Sequence, residues 1–263
     1  MENIRHDLQH RGYLDLNIVT HCADLSDEAL VKQLNAKTAQ ERTAAVHVGA
    51  RRWNYEPWFV DLLLKQLMNE KALYTRLEIC RVLEGGNNDV AAAMMPYLRK
   101  IGDNQHQFIP KTVSRKRGYP LPRDIIARTL GNMNASILYT MIDQLDSLSQ
   151  DQISEFVDAY GYFISKHPHL ATQAHLNVIE YLINNYSDNT LIKWKCMQCL
   201  SVFPLDHALE ILNDQSTLCD HPTIKLEIKR SIHQISKKEK LYSFSFCIWF
   251  ELEKVVMILS VRL

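Results

Sequence analysis

Glycine and proline are scarce in this sequence, with eight of each among 263 residues, and strand-like alternation is nearly absent before residue 240. Both residues punctuate the turns of strand-rich folds, so their scarcity favours helices. The sequence also contains no Gly-rich phosphate loop, no G-x-S-x-G elbow and no H-E-x-x-H motif. It therefore gives no sign of an enzyme, and we expect no catalytic residue.

An excess of charge of either sign is also missing, because 30 Lys and Arg balance 30 Asp and Glu. No global field therefore attracts nucleic acid or a membrane surface. Residues 1–10 have no basic stretch followed by an apolar run, which excludes a secretory signal at that point. We expect a cytoplasmic protein with no membrane span.

The six cysteines are scattered and form no disulfide-like framework, which suits reduced thiols in a cytoplasm. Cys196 and Cys199 have C-x-x-C spacing, but no second pair completes a zinc site. A structural role is favoured for both, and we predict no metal and no cofactor.

A repeat is the main positive feature. Lys32-Gln33-Leu34 recurs 33 residues later as Lys65-Gln66-Leu67, and weaker copies follow. A basic residue opens the next helical segment after most copies, and apolar residues three and seven positions later share one helical face. The basic residues are Arg42, Arg76, Arg123, Lys193 and Lys225. A period in the thirties predicts stacked helix pairs.

The pattern resembles the HEAT repeat family, including the HEAT-like, armadillo-type repeats of many bacterial proteins. Residues 75–83 (TRLEICRVL) and 122–131 (PRDIIARTLG) carry the resemblance, which covers roughly residues 26–236. It implies an all-α fold, an α-α superhelix or solenoid of about five to six helix pairs. In such repeats the basic position commonly makes polar contacts between neighbours. Fold alone assigns no role.

Three segments follow from this pattern: an N-terminal segment of residues 1–25, the solenoid of residues 26–236, and an atypical apolar tail of residues 237–263. Apolar periodicity and capping residues predict helices within the solenoid. They are placed near residues 27–35, 38–53, 56–70, 71–84, 88–102, 122–133, 135–148, 150–166, 169–186, 189–203, 205–213 and 222–236.

An insertion at residues 103–121 interrupts the repeat and is the first candidate site. It has four cations, and no acidic residue lies between Asp103 and Asp124. Insertions in solenoids often lie on the binding face, and clustered cations contact phosphate or acidic proteins. The alternative is a solvated loop. The candidate residues are Lys111, Arg115, Lys116 and Arg117.

An aromatic group around a predicted turn is the second candidate. Trp53 and Tyr55 are its candidate binding residues, next to Trp58 and Phe59. Aromatic side chains near arginines can stack on bases or anchor a peptide. The alternative, which we favour, is that Trp58 and Phe59 pack between repeats while Trp53 covers the turn.

The expected function is a non-catalytic scaffold that binds a protein or peptide on a concave helical face. The alternative is nucleic-acid binding by a relative of the alkylpurine DNA glycosylases, some of which are built from similar repeats. Trp53, Trp58, Asp61 and Trp194 imitate the cleft of those enzymes only loosely, and the balanced net charge argues against this alternative.

Overall fold

A computed structural model of the chain describes residues 2–116 and 118–237, and these residues are helical with no strand. The α-helices are α1 Glu2–His10, α2 Leu16–Ala23, α3 Asp27–Gln33, α4 Ala39–Trp53, α5 Pro57–Asn69, α6 Leu73–Glu84, α7 Asn88–Met94, α8 Ile125–Leu130, α9 Leu138–Asp143, α10 Gln150–Lys166, α11 Gln173–Asn185, α12 Thr190–Leu200, α13 Asp206–Leu218 and α14, residues 222–237. Short 3₁₀ turns cover Met95–Tyr97, Ala135–Ile137, Leu145–Ser147 and Pro168–Leu170.

Polar side chains begin many of these helices. The Thr38 hydroxyl accepts the Glu41 N–H at 3.3 Å and donates to the Glu41 carboxylate at 2.7 Å, which is a reciprocal cap at the start of α4. Asn87, Asp124 and Asn189 cap α7, α8 and α12 through single side chains. Such residues are visible in a sequence, so most helix starts agree with those predicted.

Three differences from the predicted helices have local causes. Helices α1 and α2 were not predicted, because α1 is polar overall and α2 is only eight residues long. The helix predicted at 88–102 ends at Met94, and a 3₁₀ turn containing Pro96 follows. Helix α13 extends to Leu218, beyond the predicted end. The predicted tail lies outside the described residues except for residue 237, and the domain bounds stay a prediction.

The chain divides into two compact units, and the boundary falls inside α10. Unit 1 comprises the described residues up to 105 together with 122–159, and unit 2 comprises 106–121 together with 160–237. In unit 1, α4 contacts α2 and α6, α6 contacts α8, and α7 contacts α5 and α9. In unit 2, α11 contacts α12 and α13. Contacts between helices close in sequence are consistent with a helical array.

The predicted apolar stripe lies in the core. Ile79, Leu83, Ile126 and Leu130 are fully buried in unit 1. Each sits three or seven residues after its basic partner in the sequence, so the helical spacing is confirmed at these positions.

The basic position before the stripe has a structural role at Arg42. Its guanidinium donates from Nε and Nη2 to the two oxygens of Glu70 at 2.7 and 2.8 Å, and from Nη1 to the carbonyls of Ala36 and Lys37. Glu70 also accepts the N–H of Ala72 at 2.8 Å. This bidentate pair joins the start of α4 to the turn before α6.

Candidate functional site

The insertion leaves and re-enters unit 1 beside one buried carboxylate. Asp124 accepts the Gln105 amide at 2.7 Å, the backbone N–H of Arg99 at 3.1 Å and that of Ala127 at 2.8 Å. Burial raises the pKa of Asp124, although these hydrogen bonds favour the ionised form. One side chain therefore fixes both ends of the insertion and caps α8.

Arg99 lies just before the insertion and has a left-handed backbone, with φ of 70°. Its Nη1 donates to the fully buried Glu155 carboxylate at 2.9 Å. The charge-assisted bond and the Asp124 contact together hold a backbone geometry that a non-glycine residue rarely adopts.

Residues 106–121 of the insertion belong to unit 2, and two of them contact α14. Arg230 donates from Nη2 to the carbonyl oxygens of Lys116 and Gly118, each at 3.3 Å, and Gln234 reaches the Lys116 carbonyl at 3.5 Å. These contacts hold the loop through its main chain, so the side chains of the loop are left for other contacts. We call residues 106–121 the basic loop.

Two ring contacts hold the basic loop further. Tyr119 lies directly over Gly161 of α10, where an added Cβ would come within 2.2 Å of the phenol oxygen. At the other end of the loop, the His106 ring meets the edge of Trp194 at 5.2 Å between centroids. The loop is therefore held near both of its ends, at His106 and at Tyr119.

Three cations of the basic loop are exposed to solvent. Lys111, Arg115 and Lys116 are exposed and, among the described residues, form no ion pair, while Arg117 lies outside the described residues. Phe108, in the same loop, is 83% exposed. Three of the four predicted cations are therefore exposed on one short segment.

A buried ionic cluster beneath the loop was missed by the sequence reasoning. Glu227 is fully buried and accepts from Arg230 Nη1 at 2.7 Å. Burial raises the pKa of Glu227, and the charge of Arg230 and the Trp194 indole only partly offset this effect. The spacing Glu227-x-x-Arg230 is common on helix surfaces, so no sequence signal marked it as buried.

The structure separates the two aromatic candidates. Trp53 is only 7% exposed and meets Trp58 and Phe59 edge-on at 4.9 and 5.0 Å between centroids. Trp53 therefore lies in the core rather than over the turn. Phe59 is fully buried, as the alternative interpretation predicts, whereas Trp58 is 45% exposed, which that interpretation does not predict. Tyr55 instead lies at the surface turn between α4 and α5, where it is half-buried.

Tyr55 borders a groove of about 340 Å³ between α5 and α7 of unit 1. Apolar side chains of both helices form its floor, and polar groups stand at its rim. The groove is lined by residues that include Tyr55, Val60, Asp61, Leu64, Asp89, Val90 and Tyr97. Sequence reasoning did not identify this groove, because its two walls come from helices separated by α6.

Of the residues that loosely imitate a glycosylase cleft, Trp58 is exposed at 45%, but the other two tryptophans are buried. Trp53 and Trp194 are 7% and 4% exposed, and Asp61 pairs with Lys65 at 2.6 Å. Among the described residues, no three or more His, Cys, Asp or Glu side chains are placed to hold a metal ion. No helix in the described part of the chain is both long and apolar enough to cross a membrane.

Comparison of the chain with protein-family models, curated protein sequences and solved structures finds no match. The geometry of the described residues is therefore the basis for a functional assignment.

Proposed function

We propose that this chain is a non-catalytic scaffold, built from HEAT-like helix pairs, that binds an acidic segment of a protein or peptide at the basic loop. The observation that carries the proposal is the exposure of Lys111, Arg115 and Lys116, without ion pairs in the described residues, on a loop whose main chain is held.

A held loop favours binding for an energetic reason. A partner that contacts a flexible loop must also supply the free energy that orders it. Here Arg230 already holds the carbonyls of Lys116 and Gly118, and Tyr119 packs on Gly161. Each new ion pair then loses mainly side-chain entropy, and the absence of acids in the loop leaves its positive field uncompensated.

An acidic protein segment suits this surface better than nucleic acid. Nucleic-acid binding generally uses an extended basic surface or stacking aromatics. The chain has no excess positive charge. Trp53 and Trp194 are buried, and Trp58, which is 45% exposed, lies on α5 rather than in the basic loop. Phe108 is exposed beside the cations and would suit an apolar residue of a peptide.

The direct test is fluorescence anisotropy with a labelled polyglutamate peptide at low and high salt, with labelled duplex DNA in a parallel titration. The test variant changes Lys111, Arg115, Lys116 and Arg117 to Ser. The matched control changes four exposed lysines elsewhere to Ser and alters the net charge equally: Lys37, Lys71, Lys100 and Lys229.

We expect the wild type and the control variant to bind the peptide alike and to lose affinity as salt increases. The loop variant should bind about tenfold more weakly, since several exposed ion pairs together contribute about 1.4 kcal/mol. Equal binding by the loop variant would refute the proposal. Tighter binding of DNA than of the peptide would replace it with the nucleic-acid alternative.

A further inference from the structure

The groove between α5 and α7 is a second surface, and it does not depend on the basic loop. Its floor is apolar, formed by Val60 and Leu64 on α5 and by Val90 on α7. Its volume of about 340 Å³ is at the small end of ligand pockets, enough for a few side chains rather than a whole cofactor.

A strained turn holds Tyr55 at the rim of the groove. Asn54 and Tyr55 both have positive φ, at 38° and 65°, which non-glycine residues rarely adopt in succession. The Tyr55 hydroxyl then lies against Gly85, where an added Cβ would stand 2.5 Å from it. The turn and the missing side chain at Gly85 together determine where the phenol lies.

The polar rim of the groove has one sign of charge. Asp61 and Asp89 line it, and no basic side chain does. Lys65 pairs with Asp61 at 2.6 Å, whereas Asp89 has no ion pair among the described residues. Tyr55 and Tyr97 add two phenol rings, whose faces attract cations.

We propose that this groove binds a peptide segment of a partner protein that carries an apolar side chain next to a lysine or arginine. The apolar side chain packs on Val60, Leu64 and Val90. The cation lies near the Asp89 carboxylate and the tyrosine rings, where opposite charge and ring faces favour it.

The probe is a short fluorescein-labelled peptide that alternates leucine and lysine, and the control probe has glutamate in place of lysine. Two pairs of variants test the groove. Asp89→Asn removes its unpaired carboxylate, and Asp206→Asn makes the same change in the first turn of α13. Gly85→Ala displaces Tyr55, and Gly118→Ala adds a methyl group where nothing lies within 4 Å.

We expect the lysine peptide to bind the wild type and the glutamate peptide to bind this groove far less. Asp89→Asn and Gly85→Ala should each weaken binding of the lysine peptide about threefold to tenfold. Asp206→Asn and Gly118→Ala should leave it unchanged. The basic-loop variant should also bind the lysine peptide normally, which separates this proposal from the preceding one.

Two results would overturn the inference. The first is equal loss of binding in Asp89→Asn and Asp206→Asn, which indicates general charge attraction rather than a site. The second is unchanged binding in both Asp89→Asn and Gly85→Ala, with circular dichroism confirming that both variants are folded.

Discussion

At the scale of single residues, buried carboxylates differ in the direction of their pKa shift. The pKa of Asp124 and Glu227 is raised, and that of others is lowered. Burial alone would raise the pKa of Glu70, but its bonds from Arg42 and from the backbone N–H groups of Ala72 and Lys71 outweigh it, and the pKa is lowered. The pKa of Glu78 is lowered in the same way, by Arg81 and His47. A carboxyl with a lowered pKa stabilises the fold above its ordinary pKa, because the unfolded chain binds the proton first.

Replacing Glu70 by Gln should therefore destabilise the protein in a pH-dependent way. At neutral pH the free energy of unfolding should fall by about 1–3 kcal/mol, because the glutamine carries no charge opposite Arg42. The difference from wild type should shrink as pH falls below the ordinary value of 4.5 and through the lowered pKa. Urea unfolding at a series of pH values measures this difference.

Glu28→Gln is the matched control, since Glu28 is exposed and has no ion pair among the described residues. Its effect should be small at every pH. A Glu70→Gln penalty that stays constant down to acidic pH would contradict the assignment of this pair.

The sequence predicts some of these residues and not others. Arg42 is marked by the sequence pattern, and its polar role is seen in the ion pair with Glu70. Glu227 and Asp89 are not marked, because each looks like an ordinary polar residue of a helix. What distinguishes them is the side chains brought near by tertiary packing, which a single helical pattern does not contain.

At the scale of elements, the basic loop depends on the helices that hold it. Residues 153–161 of α10 are buried without interruption, and Gly161 is the position where Tyr119 lies. The sequence predicts an insertion here because glycine and prolines interrupt the periodicity. It does not predict that the loop packs, because Tyr119 and Gly161 are far apart in the chain.

Gly161→Ala should loosen the basic loop. Alanine favours the helix at this position, but its Cβ cannot coexist with the Tyr119 ring, so the ring must move. Limited trypsin digestion should then cut at Lys111, Arg115 or Lys116 faster than in the wild type. The helical circular dichroism spectrum should be retained.

Gly118→Ala, in the loop itself, has open space and should digest as the wild type does. If Gly161→Ala digests at the wild-type rate, the Tyr119 contact does not hold the loop.

At the scale of the whole molecule, an overall formal charge of zero conceals local separation of charge. One unit has a groove with two carboxylates at its rim, and the other has a loop with cations and no acid. Composition alone argues against a partner bound through charge, because it averages over the acidic groove and the basic loop. Under the two proposals, these surfaces bind partners of different charge.

The most direct test of the proposed function is hydrogen exchange, measured by mass spectrometry with and without the polyglutamate peptide. The account predicts slower exchange at residues 106–121 when the peptide is present, because the partner covers a loop that is already folded. Residues of α5 and α7 should exchange at unchanged rates. Protection elsewhere in the chain, with none in the basic loop, would contradict the account.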